Sequence, residues 1–137
     1  MKTFRLTVLS AERTFFDGDA VSVMIPTPEG YYGVMAHHSN TVSATVPGEL
    51  RYTVTEGGEQ KRAAISAGLF KVEDNTVLIL TETAEHPDEI DAKRAEREAE
   101  EAKEEMLRRR SVKEYNLAQA KLARALNRLK VKNKPVN

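Results

Sequence analysis

A chain of 137 residues, 40% hydrophobic and 31% charged, holds enough apolar material for one ordinary domain or for one small domain with an appendage. Its 21 Lys and Arg balance 21 Asp and Glu, and a formal net charge of zero argues against a general nucleic-acid binder, whose footprint is a basic excess. With no cysteine, disulfides, thiolate zinc sites and cysteine nucleophiles are excluded, and the three histidines, His37, His38 and His86, are too few and too poorly spaced for a metal site.

The chain opens Met1-Lys2-Thr3-Phe4-Arg5-Leu6, without an apolar run of signal-peptide length. No segment approaches the roughly 20 apolar residues of a membrane span. The expected setting is a reducing aqueous compartment, with membrane association only through partners.

Residues 1–84 carry a strand pattern. Phe4, Leu6 and Val8 alternate with Arg5 and Thr7, Val21, Val23 and Ile25 with Ser22 and Met24, and Leu50, Tyr52 and Val54 with Arg51 and Thr53. Such period-two alternation buries one face and wets the other. Thr76-Val77-Leu78-Ile79-Leu80 is nearly continuous and predicts a strand covered on both sides. Turns are expected at Asp17-Gly18, Pro28-Glu29-Gly30, Pro47-Gly48, Glu56-Gly57-Gly58-Glu59 and Glu73-Asp74-Asn75. This spacing predicts a β-sandwich or flattened barrel of about ten short strands.

After Thr83 the composition changes. Asp88 is placed to cap a helix, with Glu89 and Asp91 in its first turn, where the helix dipole favours anions. Ala95, Ala99, Ala102 and Met106 form a thin apolar stripe at helical spacing. The pairs Glu89–Lys93 and Glu105–Arg109 support this helix, and Arg108-Arg109-Arg110 closes it. Ser111-Val112-Lys113-Glu114 reads as a capping box. A second stripe follows, Tyr115, Ala118, Leu122, Leu126 and Leu129, opposite a basic face of Lys121, Arg124, Arg128, Lys130 and Lys132, and Lys134-Pro135 ends it. The expected fold class is therefore β + α: a sandwich over 1–84, then an antiparallel two-helix hairpin over 85–137 with helices at about 88–108 and 112–131. The weak alanine seam predicts a hairpin able to leave its resting place.

No nucleophile has an identifiable base and no carboxylate pair is set for acid–base work, so no catalytic residue is assigned. Gly57-Gly58 is a hairpin turn, since no Lys-Ser/Thr follows to make a phosphate loop. The glutamates at 96, 98, 100, 101, 104 and 105 spread around the helix and read as a solvated face. His38 reads as structural or surface. Asp91 and Arg94 are either a helix-start acid with its partner at spacing three, or nucleotide contacts. Arg124 and Arg128 are either a solvated face, or contacts to an acidic protein or a phosphate.

Several segments, in order, carry a family resemblance: Gly30-Tyr31-Tyr32-Gly33-Val34-Met35-Ala36-His37-His38, Pro47-Gly48, Ser66-Ala67-Gly68-Leu69-Phe70-Lys71-Val72, Asn75-Thr76-Val77-Leu78-Ile79-Leu80, Ile90-Asp91-Ala92-Lys93-Arg94-Ala95 and Ala125-Leu126-Asn127-Arg128-Leu129. Together they span essentially the whole chain, which resembles the ε subunit of bacterial F-type ATP synthase. The chain departs from that pattern at Ala36-His37, where the family usually has Pro-Gly, at Asn40, commonly proline, and at Ala67, commonly glycine.

The resemblance implies a non-catalytic rotor subunit of the central stalk, peripheral on the cytoplasmic side of the cell membrane, coupling ion flow to ATP synthesis. The γ subunit and the ring of c subunits would be its partners. The hairpin would inhibit ATP hydrolysis, its basic second helix meeting the catalytic α/β head. Glu29, Tyr31, Tyr32 and His38 would contact the rotor ring, although the two tyrosines equally suit ordinary strand aromatics. No cofactor is required, but regulatory ATP would be held by Glu85, Ile90, Asp91, Arg94, Ala95, Arg124 and Arg128; arginines suit phosphates because the guanidinium is a planar fork of donors. The alternative is a free-standing β-sandwich protein-binding module that dimerises through the hairpin.

Overall fold

The computed structural model describes residues 2–108 and 111–133. The chain divides into two compact units, 1–86 and 87–137.

The first unit is a sandwich of ten strands: β1 Phe4–Leu9, β2 Thr14–Ala20, β3 Ser22–Thr27, β4 Gly30–Met35, β5 Thr41–Thr45, β6 Gly48–Thr53, β7 Gln60–Ile65, β8 Gly68–Glu73, β9 Thr76–Thr81 and β10 Ala84–Glu85. They form two five-stranded sheets, ordered β2-β1-β9-β8-β5 and β10-β7-β6-β3-β4. Among the described residues only β1 and β9 pair in parallel; the other pairings are antiparallel. The core takes Phe4, Leu6, Val8, Phe70, Val72, Val77 and Ile79 from the first sheet, and Val23, Ile25, Val34, Leu50, Tyr52, Ala63 and Ile65 from the second. These are the inward members of the alternating runs, so the sequence periodicity becomes the packing directly.

Two expectations fail here. Asp17-Gly18 is not a turn: β2 runs through it, paired to β1 as Thr7 to Asp17 and Leu6 to Gly18. The Asp17 carboxylate accepts hydrogen bonds from Arg5 Nε at 2.9 Å and Thr7 Oγ1 at 3.0 Å, which stabilises an otherwise poor strand residue. Nor is β9 covered on both sides by this sandwich. Val77 and Ile79 face the core while Leu80 is 44% exposed. Its cross-strand neighbour Leu69 is also exposed, as is Val42 on β5. The continuous apolar run thus reflects an apolar outer surface on this sheet.

The β8–β9 turn ties the unit together. Asp74 and Asn75 both have positive φ, 49° and 58°, as a two-residue hairpin with the sheet's twist requires. The Asn75 side chain accepts from the His37 amide at 2.7 Å and donates to the Thr3 carbonyl at 2.8 Å. Gly68 lies so close to β9 that a Cβ there would stand 1.9 Å from the Leu80 carbonyl oxygen.

In the second unit, a 3-10 turn at Pro87–Glu89 precedes α1 (Ala92–Arg108) and α2 (Val112–Asn133). The predicted cap is displaced. Asp91, not Asp88, begins α1, its Oδ1 accepting from the Arg94 amide at 3.1 Å; Pro87 and Asp88 are spent in the 3-10 turn, closed by the Ile90 amide on the Pro87 carbonyl. Ser111 caps α2 as expected, its Oγ accepting from the Glu114 amide at 3.0 Å. Arg109, Arg110, the Glu105–Arg109 pair and the Lys134-Pro135 stop lie outside the described residues.

The helices run antiparallel, and ion pairs cross the seam at Glu98–Arg128 and Glu105–Lys121. On α1 the expected stripe is buried at Ala95, Ala99 and Ala102 and half-buried at Met106. On α2 the expected stripe holds in part. Ala118 is buried and Leu122 and Leu129 are half-buried, whereas Leu126 is 46% and Tyr115 36% exposed, and Ala125 and Val131, outside the stripe, are buried. The seam thus lies a little to one side of the expected stripe, where facing alanines let the backbones approach closely. Part of the basic face is engaged within the unit. Lys121 and Arg128 meet α1 carboxylates, and Lys132 Nζ donates to the Pro87 carbonyl at 3.2 Å.

Candidate functional site

The sandwich presents one group of candidate contacts around the β3–β4 turn and β4. Glu29 lies in that turn, its amide donating to Thr27 Oγ1 at 3.3 Å. Alternation along β4 separates the two tyrosines. Tyr31 points outward, 46% exposed, with the Arg51 guanidinium 5.0 Å from its ring centroid. Glu49 hydrogen-bonds Arg51 at 2.6 Å and thereby holds that guanidinium's pKa above its usual value. Tyr32 points inward, its ring 5.4 Å from that of Phe70.

The Tyr32 hydroxyl lies 3.1 Å from His38 Nε2, and His38 Nδ1 lies 2.8 Å from the Ser39 carbonyl. A carbonyl only accepts, so Nδ1 carries a proton; in the neutral ring Nε2 then accepts from Tyr32. His38 is a bracing residue of the β4–β5 loop. Beside it His37 sits at φ 64°, in the left-handed region that glycine favours. That accounts for the departure at this position: the backbone keeps a glycine-like conformation with histidine in place.

The helical unit presents the second group. Arg94 Nε donates to Glu98 Oε1 at 3.1 Å, and Arg128 Nη1 donates to Glu98 Oε2 at 2.9 Å. Two predicted phosphate ligands from different helices thus converge on one carboxylate. Asp91 is engaged as the α1 cap. Ile90 and Ala95 are buried, at 4% and 2% exposure, and offer backbone and packing rather than side-chain polarity. Arg124 is half-buried on α2. Glu85 belongs to the other unit, where it ends β10 opposite Ala64.

Sequence reasoning missed Glu98 as an individual, grouping it with the solvated glutamates. The available signal was its spacing of four from Arg94. A shallow depression on α1 is lined by Asp91, Glu96, Glu100, Glu101 and Glu104 with only Lys93 and Arg97; five carboxylates against two cations repel phosphate, so it is no nucleotide site. Among the described residues no group of three or more His, Asp or Glu is placed to hold a metal.

Two family models together match residues 3–133. The ATP synthase Delta/Epsilon chain beta-sandwich domain covers residues 3–87, and the Delta/Epsilon chain long alpha-helix domain covers 88–133. The chain belongs to the ATP synthase delta/epsilon chain family. The ATP synthase epsilon chain of Ruminococcus albus is 41% identical over 135 residues, covering 98% of this chain and 99% of that one. The epsilon chain of Syntrophomonas wolfei is 42% identical over 136 residues, covering 98% and 97%. A chain from the cryo-EM structure of the Euglena gracilis mitochondrial ATP synthase, OSCP/F1/c-ring in rotational state 1, superposes with a TM-score of 0.78 at 26% identity, covering 93% of this chain and 79% of that one. Family membership makes the chain a subunit of a larger complex that is itself membrane-associated. None of its described helices is long and apolar enough to cross a membrane.

Proposed function

We propose that the chain is a non-catalytic rotor subunit in the central stalk of an F-type ATP synthase, peripheral on the cytoplasmic side of the cell membrane. It couples ion-driven rotation to ATP synthesis, and its helical hairpin restrains ATP hydrolysis. The observation that carries this reading is the division of a delta/epsilon family chain into a sandwich with a deep aliphatic core and a helical pair joined through alanines. The first suits a fixed mount and the second an arm that moves.

The exposed apolar row on the outer face of the first sheet, Val42, Leu69 and Leu80, supports a protein partner there, which we assign to the γ subunit. The outward Tyr31 with Glu29 beside it suits the c-ring. The cationic side of α2 suits an acidic segment of the catalytic head once the arm has opened and Lys121 and Arg128 have left their α1 partners. Convergence of Arg94 and Arg128 supports regulatory ATP, since paired guanidiniums on adjacent helices match a polyphosphate.

Deleting residues 88–137 tests the arm. Hydrolysis by the assembled complex is expected to rise while assembly persists; unchanged hydrolysis leaves the subunit purely structural. Titration calorimetry of the full chain against Arg94→Ala tests the nucleotide, and the absence of heat from the wild type removes ATP from the reading.

A further inference from the structure

The Arg94–Glu98–Arg128 arrangement says more than that two arginines are close. Each oxygen of one carboxylate is taken by a different guanidinium, one from each helix. An anion bridging the same two cations must occupy the place Glu98 holds. We infer that Glu98 is an internal occupant of this two-arginine anion site, so that a phosphate chain binds only by displacing it. The inference rests on the regulatory-ATP reading for its biological meaning, though not for its chemistry.

The geometry sets the strength of this competition. The side chains of Arg94, Glu98 and Arg128 keep 73%, 34% and 23% of their exposure. The Arg94 pair is open to solvent, hence weak and screened by salt, and the part-buried Arg128 pair is the firmer of the two. Glu98 is therefore a displaceable occupant, which sets a threshold concentration for the ligand rather than closing the site. A polyphosphate offers several oxygens with full negative charge where Glu98 offers two sharing one, so it wins once abundant. Because Glu98 also joins α1 to α2, the ligand takes over a cross-link and the helices stay paired through it.

The test is titration calorimetry of the full-length wild type, Glu98→Gln, Arg94→Ala and Glu101→Gln with ATP and with inorganic tripolyphosphate. Glu98→Gln keeps the size and helix preference of the side chain, and circular dichroism checks that helicity is retained. Glu101→Gln removes an exposed carboxylate about one turn further along the same helix face and controls for local charge. The expected result is that Glu98→Gln binds both probes about ten-fold more tightly than wild type while Glu101→Gln shifts affinity far less. Binding by Glu98→Gln with a silent wild type upholds the inference and retires ATP regulation of the natural chain. Equal affinity of wild type and Glu98→Gln, with loss in Arg94→Ala, keeps ATP regulation and overturns the inference. Binding by neither, or a gain equalled by Glu101→Gln or confined to ATP, also overturns it.

Discussion

The two units use opposite means of cohesion. The sandwich buries Phe4, Leu6, Ile25, Leu50, Tyr52, Phe70 and Ile79 at 2% exposure or less. The helical pair buries chiefly alanines and closes its flanks with ion pairs. A buried leucine or phenylalanine contributes about 1.5–3 kcal/mol, and an alanine only a fraction of that. Exposed ion pairs add about 0–1 kcal/mol each. The sandwich is thus committed to one structure, while the hairpin is expected to separate at lower cost and in a salt-dependent way. The arm proposed above would need this difference in kind.

The most severe way to break the comparison is from the sandwich side. Gly68→Ala forces a Cβ to within 1.9 Å of the Leu80 carbonyl, and β8 and β9 must part to relieve it. A loss of about 4 kcal/mol or more is expected in urea denaturation, among the largest costs of a single substitution. A neutral outcome means the sheet is far softer than its core indicates.

A milder break comes from the helices. Ala99→Leu places a large side chain in a seam spaced for alanine and is expected to cost about 1–3 kcal/mol. Loss of helical circular dichroism should precede loss of the sandwich transition on heating. Simultaneous loss of both would show that the units unfold as one.

His37→Gly sharpens the comparison by stabilising the sandwich alone. At φ 64° histidine incurs a left-handed cost of about 1–2 kcal/mol, partly offset by the flexibility glycine adds to the unfolded chain. A net gain of about 0.5–1 kcal/mol is expected by thermal denaturation, with helical signal unchanged.

The smallest effect is electrostatic. Hydrogen bonds from Arg5 and then Thr7 lower the Asp17 pKa below the ordinary carboxylate value. The folded form therefore binds this proton less readily than the unfolded chain, and the contribution is present at neutral pH and lost as pH falls through the depressed value. The Arg5 and Asp17 side chains are both open to solvent, at 51% and 46% exposure. Asp17→Asn should slightly flatten the acid limb of the stability profile, and added salt should shrink the difference.

How far the molecule could be read from its residues follows the same division. Where large side chains alternate, as in Phe4, Leu6 and Val8, the pattern is the packing, and the strands were readable. Asp17-Gly18 misled because turn-forming residues are tolerated in β2 when Arg5 and Thr7 across the strand supply partners. On α2, hydrophobicity pointed rightly to Ala118 but also to Leu126, while helix approach selected Ala125. The Glu98–Arg128 pair joins residues 30 apart on facing helices, so helix rotation decides it and no local rule finds it.

The parallel pairing of β1 with β9 also has a consequence in time. During synthesis β1 can hairpin with β2 at once, but its other edge stays open until Thr76–Thr81 has appeared. An unfilled strand edge invites pairing with another chain. Nascent copies are therefore most prone to misassociate over the long interval between these two strands, and the arrival of β9 ends the hazard just before the helices are made.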